Sequence, residues 1–391
     1  MNITFLLGNG FDRALGLETG YKAFYKWYVK QSKDNLAEWV VTFRGEIDKY
    51  IHNDPDADAY WSDAEYGLGQ YTEKFTIDTV DQFIDCYEDF RDNLILYLKE
   101  QQALFSDELA IQARAHLAPQ LVDYFQEVDP LEIDTVRDQR NQEASVVSFA
   151  NFICFNYTNA VDRVVAALAA DTIGEWQNTS GSTRKLKMGK LIHAHGTLDM
   201  WPIIGVCNLQ NIKNTKLLES DEFKTIIQKS ESINVAGQLW RRNTTEAIKN
   251  SHVICVFGMS IGETDSDYWE LLTEWLKGDS RRHLIVFWYD TKASNISISI
   301  REKYREVNTV KAKLWHYSAW TTDLYEKVKS RIHVVIKAKK MFSLPSDCKA
   351  KQPDDEDIIT IKKSDTMRTP SMISLRKVSR LHTKSITRMV A

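Results

Sequence analysis

No two of the five cysteines in this 391-residue chain form a C-x-x-C pair. They are Cys86, Cys154, Cys207, Cys255 and Cys348, and three lie in apolar, strand-like runs. Buried free thiols in a reducing compartment explain this usage, whereas a disulfide framework or zinc module does not. No metal is expected. No apolar run approaches the roughly 20 residues that a membrane helix needs. The first residues lack the basic start, apolar segment and small-residue cleavage site of a secretory leader, so a cytoplasmic location is expected. A formal charge of −4 gives no reason for bulk binding to nucleic acid or acidic membranes. No internal repeat is visible. What is present is 43% hydrophobic residues, enough to bury a sizeable core in one large or two modest domains.

The chain opens on an apolar run, Ile3 to Leu7, broken at Gly8-Asn9-Gly10 and followed by an amphipathic stretch. This reads as a buried strand, a tight turn and a helix start. Aromatic and charged residues at helical spacing follow, with Phe83, Tyr87, Phe90, Leu94 and Leu98 on one stripe. Residues from about 20 to 130 therefore read as a helical insertion after the first strand. Strand signals then cluster at "SFANFICF" (148–155), "KLIHAH" (190–195), "IIGV" (203–206), "HVICVFG" (252–258), "HLIVFWY" (283–289) and "VKAKLWHY" (310–317). Buried runs alternating with helical segments predict an α/β fold, a Rossmann-like and mainly parallel sheet with helices on both faces. Residues 1–340 form the expected single α/β domain. Residues 341–391 read as a poorly packed, basic and polar tail.

Four segments carry candidate chemistry. In the first turn, Gly8 and Gly10 let backbone approach a phosphate, with Asn9 and Asp12 beside them. A dehydrogenase fingerprint wants a small third residue, but Arg13 stands there, so a redox Rossmann enzyme is disfavoured. In "FNYTNAVDRV", Asn156 ends a buried strand, where an amide can fix ribose hydroxyls or a water. The plainer reading of that segment is a helix cap. In "IHAHGTLD", His195 is assigned to the cleft and His193 to a packed face; histidine titrates near working pH.

In "VFGMSIGETDSDYW", Gly258, Ser260 and Gly262 match the G-x-S-x-G elbow of hydrolases, and Glu263, Asp265 and Asp267 follow. No acid-then-histidine pair stands out downstream, although His283, His316 and His333 are present. Trp61, Asp63 and Glu65 in "YWSDAEYGLG" also come into question as site residues. A helix start with Asp in its first turn explains them more simply.

The stretches "LLGNGFDRALGLETGYKAF", "YWSDAEYGLG", "FNYTNAVD", "HAHGTLD" and "VFGMSIGETDSDYW" together resemble the AbiH family of bacterial phage abortive-infection proteins. They occur in the family's order from residue 1 to about 290. That family is in turn similar, distantly, to the sirtuin-type NAD-binding fold. The resemblance implies that Gly8, Asn9, Gly10 and Asp12 bind the dinucleotide and that Gly258 and Ser260 line its adenosine side. It further implies that Asn156 holds the ribose or a water and that His195 is the catalytic base. Sirtuin deacylases carry a zinc module on C-x-x-C pairs, which this chain lacks, and the helical insertion is not sirtuin-like. NAD cleavage without an acyl acceptor is what the resemblance leaves.

Three readings follow from these residues. The first is an effector that cleaves NAD, as substrate, at the nicotinamide–ribose bond, through a sugar cation with nicotinamide leaving neutral. The second is a nucleotide-sensing or interaction module of a defence or toxin–antitoxin system. The third is a hydrolase at Ser260. A phage-derived trigger, an antitoxin-like partner and a homo-oligomer belong to the expectation; a membrane does not.

Overall fold

The computed structural model describes residues 1–353 apart from 56, 143–144, 170–171, 201, 237–238 and 290–298. Seven strands make one sheet: β1 (Asn2–Leu7), β2 (Val147–Cys154), β3 (Gly174–Gln177), β4 (Thr183–His193), β5 (Val253–Phe257), β6 (His283–Trp288) and β7 (Ile332–Ile336). Their order is β3-β4-β2-β1-β5-β6-β7. Every neighbouring pair is parallel except β3 and β4.

β1, β5 and β6 are almost wholly buried because both faces of the sheet are covered. The helices Asp107–Val122 and Ala160–Ala169 contribute to the core on one face. The helices Leu239–Lys249, Ser266–Gly278 and Ile300–His316 contribute to the core on the other. With β3 set aside, the parallel strands run third, second, first, fourth, fifth, sixth, one of the orders found in open parallel sheets. The order reverses at β1, and a crevice opens there at the carboxyl ends of the strands.

Two expected strands are absent. "IIGV" makes only an isolated bridge, Val206 to Gln228. "VKAKLWHY", all but its last residue, lies within the helix Ile300–His316, which buries Val310 and Leu314 four residues apart. That spacing serves a helix face as well as it mimics strand alternation.

Between β1 and β2, after the short helix Asn9–Ala14, the chain forms the helices Tyr21–Tyr28, Glu38–Ile51, Ala64–Tyr71, Val80–Ala103, Asp107–Val122 and Ile133–Gln142. Of these six, the first four enclose a separate aromatic core, in which Phe43 meets Trp61, Tyr71 and Phe90. Later residues, among them Leu198, Ile204, Phe223 and Ile227, complete that core.

Residues 341–350, expected to belong to a poorly packed tail, are packed. Met341, Phe342, Leu344, Cys348 and Ala350 are buried against the sheet's core, within a compact unit running Met1–Ala350. Phe342 meets Phe11 edge-on at 5.1 Å and Phe257 at 4.8 Å. The rest of the expected tail, from 354, lies outside the described residues.

Candidate functional site

Four chain segments meet at the carboxyl ends of the strands: the turn after β1, the segments after β2 and β4, and the loop after β5. They line one cavity with Gly8, Asn9, Asp12, Asn156, His195, Gly258 and Ser260. The helical insertion closes its other side with Tyr21, Asp63, Glu65, Leu94 and Leu98.

The glycine turn is bound up in contacts of its own. The Gly8 amide donates to Phe257 O at 3.0 Å and the Gly10 amide to Gly258 O at 2.9 Å. A Cβ on Gly10 would lie 2.4 Å from Gly258 Cα, and one on Gly8 would lie 2.6 Å from Gly258 O. Gly258 itself has φ of +70°, the left-handed region that favours glycine. These glycines let two loops touch. The amides of Gly8 and Gly10, expected to cradle phosphate, are donors to protein carbonyls.

Asn9 and Asp12 also face protein partners. The Asn9 amide donates to Thr19 O at 3.1 Å. Asp12 is buried and accepts from Asn156 Nδ2 at 2.8 Å and Thr158 Oγ1 at 2.7 Å. Burial pushes its carboxyl up to about 6 against those two hydrogen bonds. Asn156 Nδ2 donates to Gly8 O as well, at 3.0 Å. The side chain expected to cap a helix or hold ribose thus ties the end of β2 to the first turn.

His193 and His195 part company. His193 Nε2 lies 3.1 Å from Asp162 of the helix Ala160–Ala169, whereas His195 packs edge-on against Phe155 and beside Tyr268 on the other face. Residues two apart in a strand share a face, so the divergence arises because β4 ends at His193. His195 is buried, and its pKa is lowered to about 3 by desolvation and by the nearby Lys229 ammonium. Its Nε2 lies 3.4 Å from Asp265 Oδ1, whose carboxylate pulls the other way.

The strongest charges at the cavity come from residues that the sequence reading set aside or missed. Lys229 is buried, and its Nζ donates to Glu65 Oε2 at 2.9 Å, Asp265 Oδ1 at 3.0 Å and Thr264 O at 2.9 Å. Burial and the carboxylates of Asp265 and Asp63 push Glu65 up to about 7, against the pull of Lys229. Asp265 is held below the usual carboxylate range; burial opposes this, but Lys229 and His195 outweigh it. Asp63 caps the helix Ala64–Tyr71 through Glu65 N at 3.0 Å and Tyr66 N at 3.2 Å, and it also lines the cavity. Trp61 is buried in the aromatic core and is not among the cavity residues. Asp265 sat in the acidic run after β5, a signal that was available, but nothing around Lys229 in "IIQKSES" marks it.

Ser260 is exposed, and the left-handed residue of its loop is Gly258 rather than the serine. The downstream histidines lie elsewhere. His283 Nδ1 and His333 Nε2 pair at 2.9 Å near the amino ends of β6 and β7, and His316 pairs with Glu263. Among the described residues, no group of three or more His, Cys, Asp or Glu is arranged to hold a metal ion.

The chain is an α/β protein with a mostly parallel seven-stranded sheet, and the cavity lies at the reversal of its strand order. The family described as bacteriophage abortive infection AbiH matches residues 4–288, and the chain belongs to it. No curated protein and no solved structure matches the chain. The sirtuin-type likeness therefore gains nothing from these comparisons. Among the described residues no helix is long and apolar enough to cross a membrane.

Proposed function

We propose that this abortive-infection protein hydrolyses the nicotinamide–ribose bond of NAD in the cavity at the carboxyl ends of β1, β2, β4 and β5. The observation that carries this reading is the group of three carboxylates, Asp63, Glu65 and Asp265, around that cavity. Cleavage of an N-glycosidic bond develops positive charge on the ribose, and carboxylates held in a partly dry cavity stabilise it. Nicotinamide departs with the bonding electron pair as a neutral base. Water adds to C1′ of the ribose, and its proton passes to the carboxylate of Glu65. A group near 7 is matched to that task, and His195 is not. Asn156 and Asp12 hold the first turn in place, and Ser260 stands at the cavity's exposed rim. A phage-derived trigger or antitoxin-like partner would act on this site from outside.

The occupied amides of Gly8 and Gly10 favour a second reading, in which the cavity binds a ligand without cleaving it. One assay separates the two. The purified chain is incubated with NAD and free nicotinamide is measured; release is expected, and Glu65→Gln should cut it by about 100-fold or more. A folded parent protein that releases none would leave only the binding role.

A further inference from the structure

We propose that the turn from Glu127 to Glu132 and the paired rings of His283 and His333 form a proton-sensitive latch. It holds the β7 edge of the sheet while the two imidazoles share one hydrogen, and releases that edge when each facing nitrogen carries its own. The rings lie near the amino ends of β6 and β7, away from the cavity, so the latch is independent of the cleavage reading. Each acidic residue of the turn holds a different element. Glu132 Oε2 accepts from His333 Nδ1 at 2.7 Å. Asp129 Oδ2 accepts from Lys303 Nζ of the helix Ile300–His316 at 2.8 Å. Glu127 accepts from the amides of Lys339 and Met341, at 2.6 and 2.8 Å, in the segment after β7.

The hydrogens can be counted. His333 Nε2 and His283 Nδ1 lie 2.9 Å apart, with room for one hydrogen between them. Glu132 takes the hydrogen on His333 Nδ1, so in the neutral pair the shared one belongs to His283 Nδ1. A first added proton leaves a single hydrogen in the contact, on whichever ring holds it. A second puts hydrogens on both facing nitrogens and turns the bond into repulsion between two cations. The rings are 6% and 1% exposed, so water does not screen them.

The charges around the pair oppose added protons at His283. Arg331, just before β7, faces it. Lys311 of the helix Ile300–His316 acts on Glu132, as does Asp129 with the opposite sign. His252, before β5, offers its carbonyl to the His283 amide at 3.3 Å and its Nδ1 to the Asn2 amide at 3.1 Å. Burial, His333 and Arg331 lower the pKa of His283 to about 4. An unfolded histidine takes its proton near about 6.5. The stability that a neutral His283 contributes is therefore complete above that pH and lost as pH falls toward 4. Glu132 is held below the usual carboxylate range; burial opposes this, but His333 outweighs it. Lys303 holds Asp129 low as well. Both carboxylates lose their contributions as pH falls, in the same direction as His283.

Hydrogen exchange of the full chain at pH 7 and pH 5, corrected for intrinsic rates, tests the release. Residues 127–142 and 332–341 should lose protection together, by about tenfold or more at pH 5, while residues 2–7 keep theirs. Urea unfolding reads the share of His283. Between pH 7.5 and pH 5 that residue alone should raise the unfolding constant roughly 30-fold. His283→Asn keeps a donor toward His333 but takes no proton, so it should remove that factor. An undiminished pH dependence in His283→Asn, equal loss of protection across the sheet, or no loss at pH 5 would overturn the latch. If His283→Asn does not fold, long-range proton–nitrogen spectra of the histidine-labelled parent decide instead. They should show one hydrogen between the facing nitrogens at pH 7; a hydrogen on both, or on neither, would overturn it.

Discussion

At position 10 one added methyl group would have to share space with the backbone of Gly258. The 2.4 Å approach is to a main-chain atom, which cannot rotate away as a flexible side chain would. Gly10→Ala should therefore destabilise the protein by about 2 kcal/mol or more, through strain in both loops. Denaturant unfolding of the parent and variant measures it. An unchanged midpoint would mean that the two loops separate at little cost. The reasoning differs from the one the turn first suggests, a phosphate against bare backbone. Both predict glycine, and only the neighbouring loop, 248 residues away in sequence, tells them apart. Lys229 illustrates the same limit. It is one lysine in a charged stretch, and its weight comes from Glu65 and Asp265, which the fold brings to it from far along the chain.

At the scale of elements, legibility followed hydrophobic uniformity. β1, β5 and β6 are largely apolar runs buried on both faces, and β2 is buried over most of its length, so all four can be read directly. β4 mixes lysines with apolar residues, so only its end, at "KLIHAH", is legible, and β7, five residues long in basic surroundings, gives no clean period. The helix Ile300–His316 hid behind the alternation of "VKAKLWHY". Its true start carried a signal, the reciprocal capping box of Ser299 and Glu302. The segment after β7 was misjudged for a different reason: its few apolar residues make no periodic pattern, yet each finds a place on the core. Glu127 accepts from the amides of Lys339 and Met341, and Gln120 donates to Ser343 O. Lys337 and Phe342 both adopt positive φ, a strained conformation that these contacts must sustain. Phe342→Ala should cost about 3–5 kcal/mol and open residues 338–350 to protease. Resistance to cleavage equal to the parent's would show that the segment is held by its hydrogen bonds alone.

For the molecule as a whole, the insertion and the sheet are interdependent. The aromatic core of the insertion is completed by Leu198 to Ile227, and Tyr87 Oη donates to Ile204 O at 2.9 Å. Asn214 Nδ2 donates to Phe75 O at 2.7 Å across the same contact. Neither part can unfold without exposing the apolar surface of the other. Scanning calorimetry should accordingly show one transition, with van't Hoff and calorimetric enthalpies equal. Two separated transitions would show that the insertion melts on its own.

The central place of β1 sets a timetable for the chain's synthesis. β1 pairs with β2 on one side and with β5 on the other, so the first strand made has an open edge until Val253–Phe257 have left the ribosome. At 5–20 residues per second that interval is roughly 10–50 seconds. The cavity waits as long, because Asp265 and the loop after β5 are translated after nearly everything else that surrounds it. A nascent or truncated chain thus carries the glycine turn, Glu65, Asn156 and His195 without an assembled site. For a protein whose family is named for abortive infection, the cavity is assembled only once Asp265 has been translated.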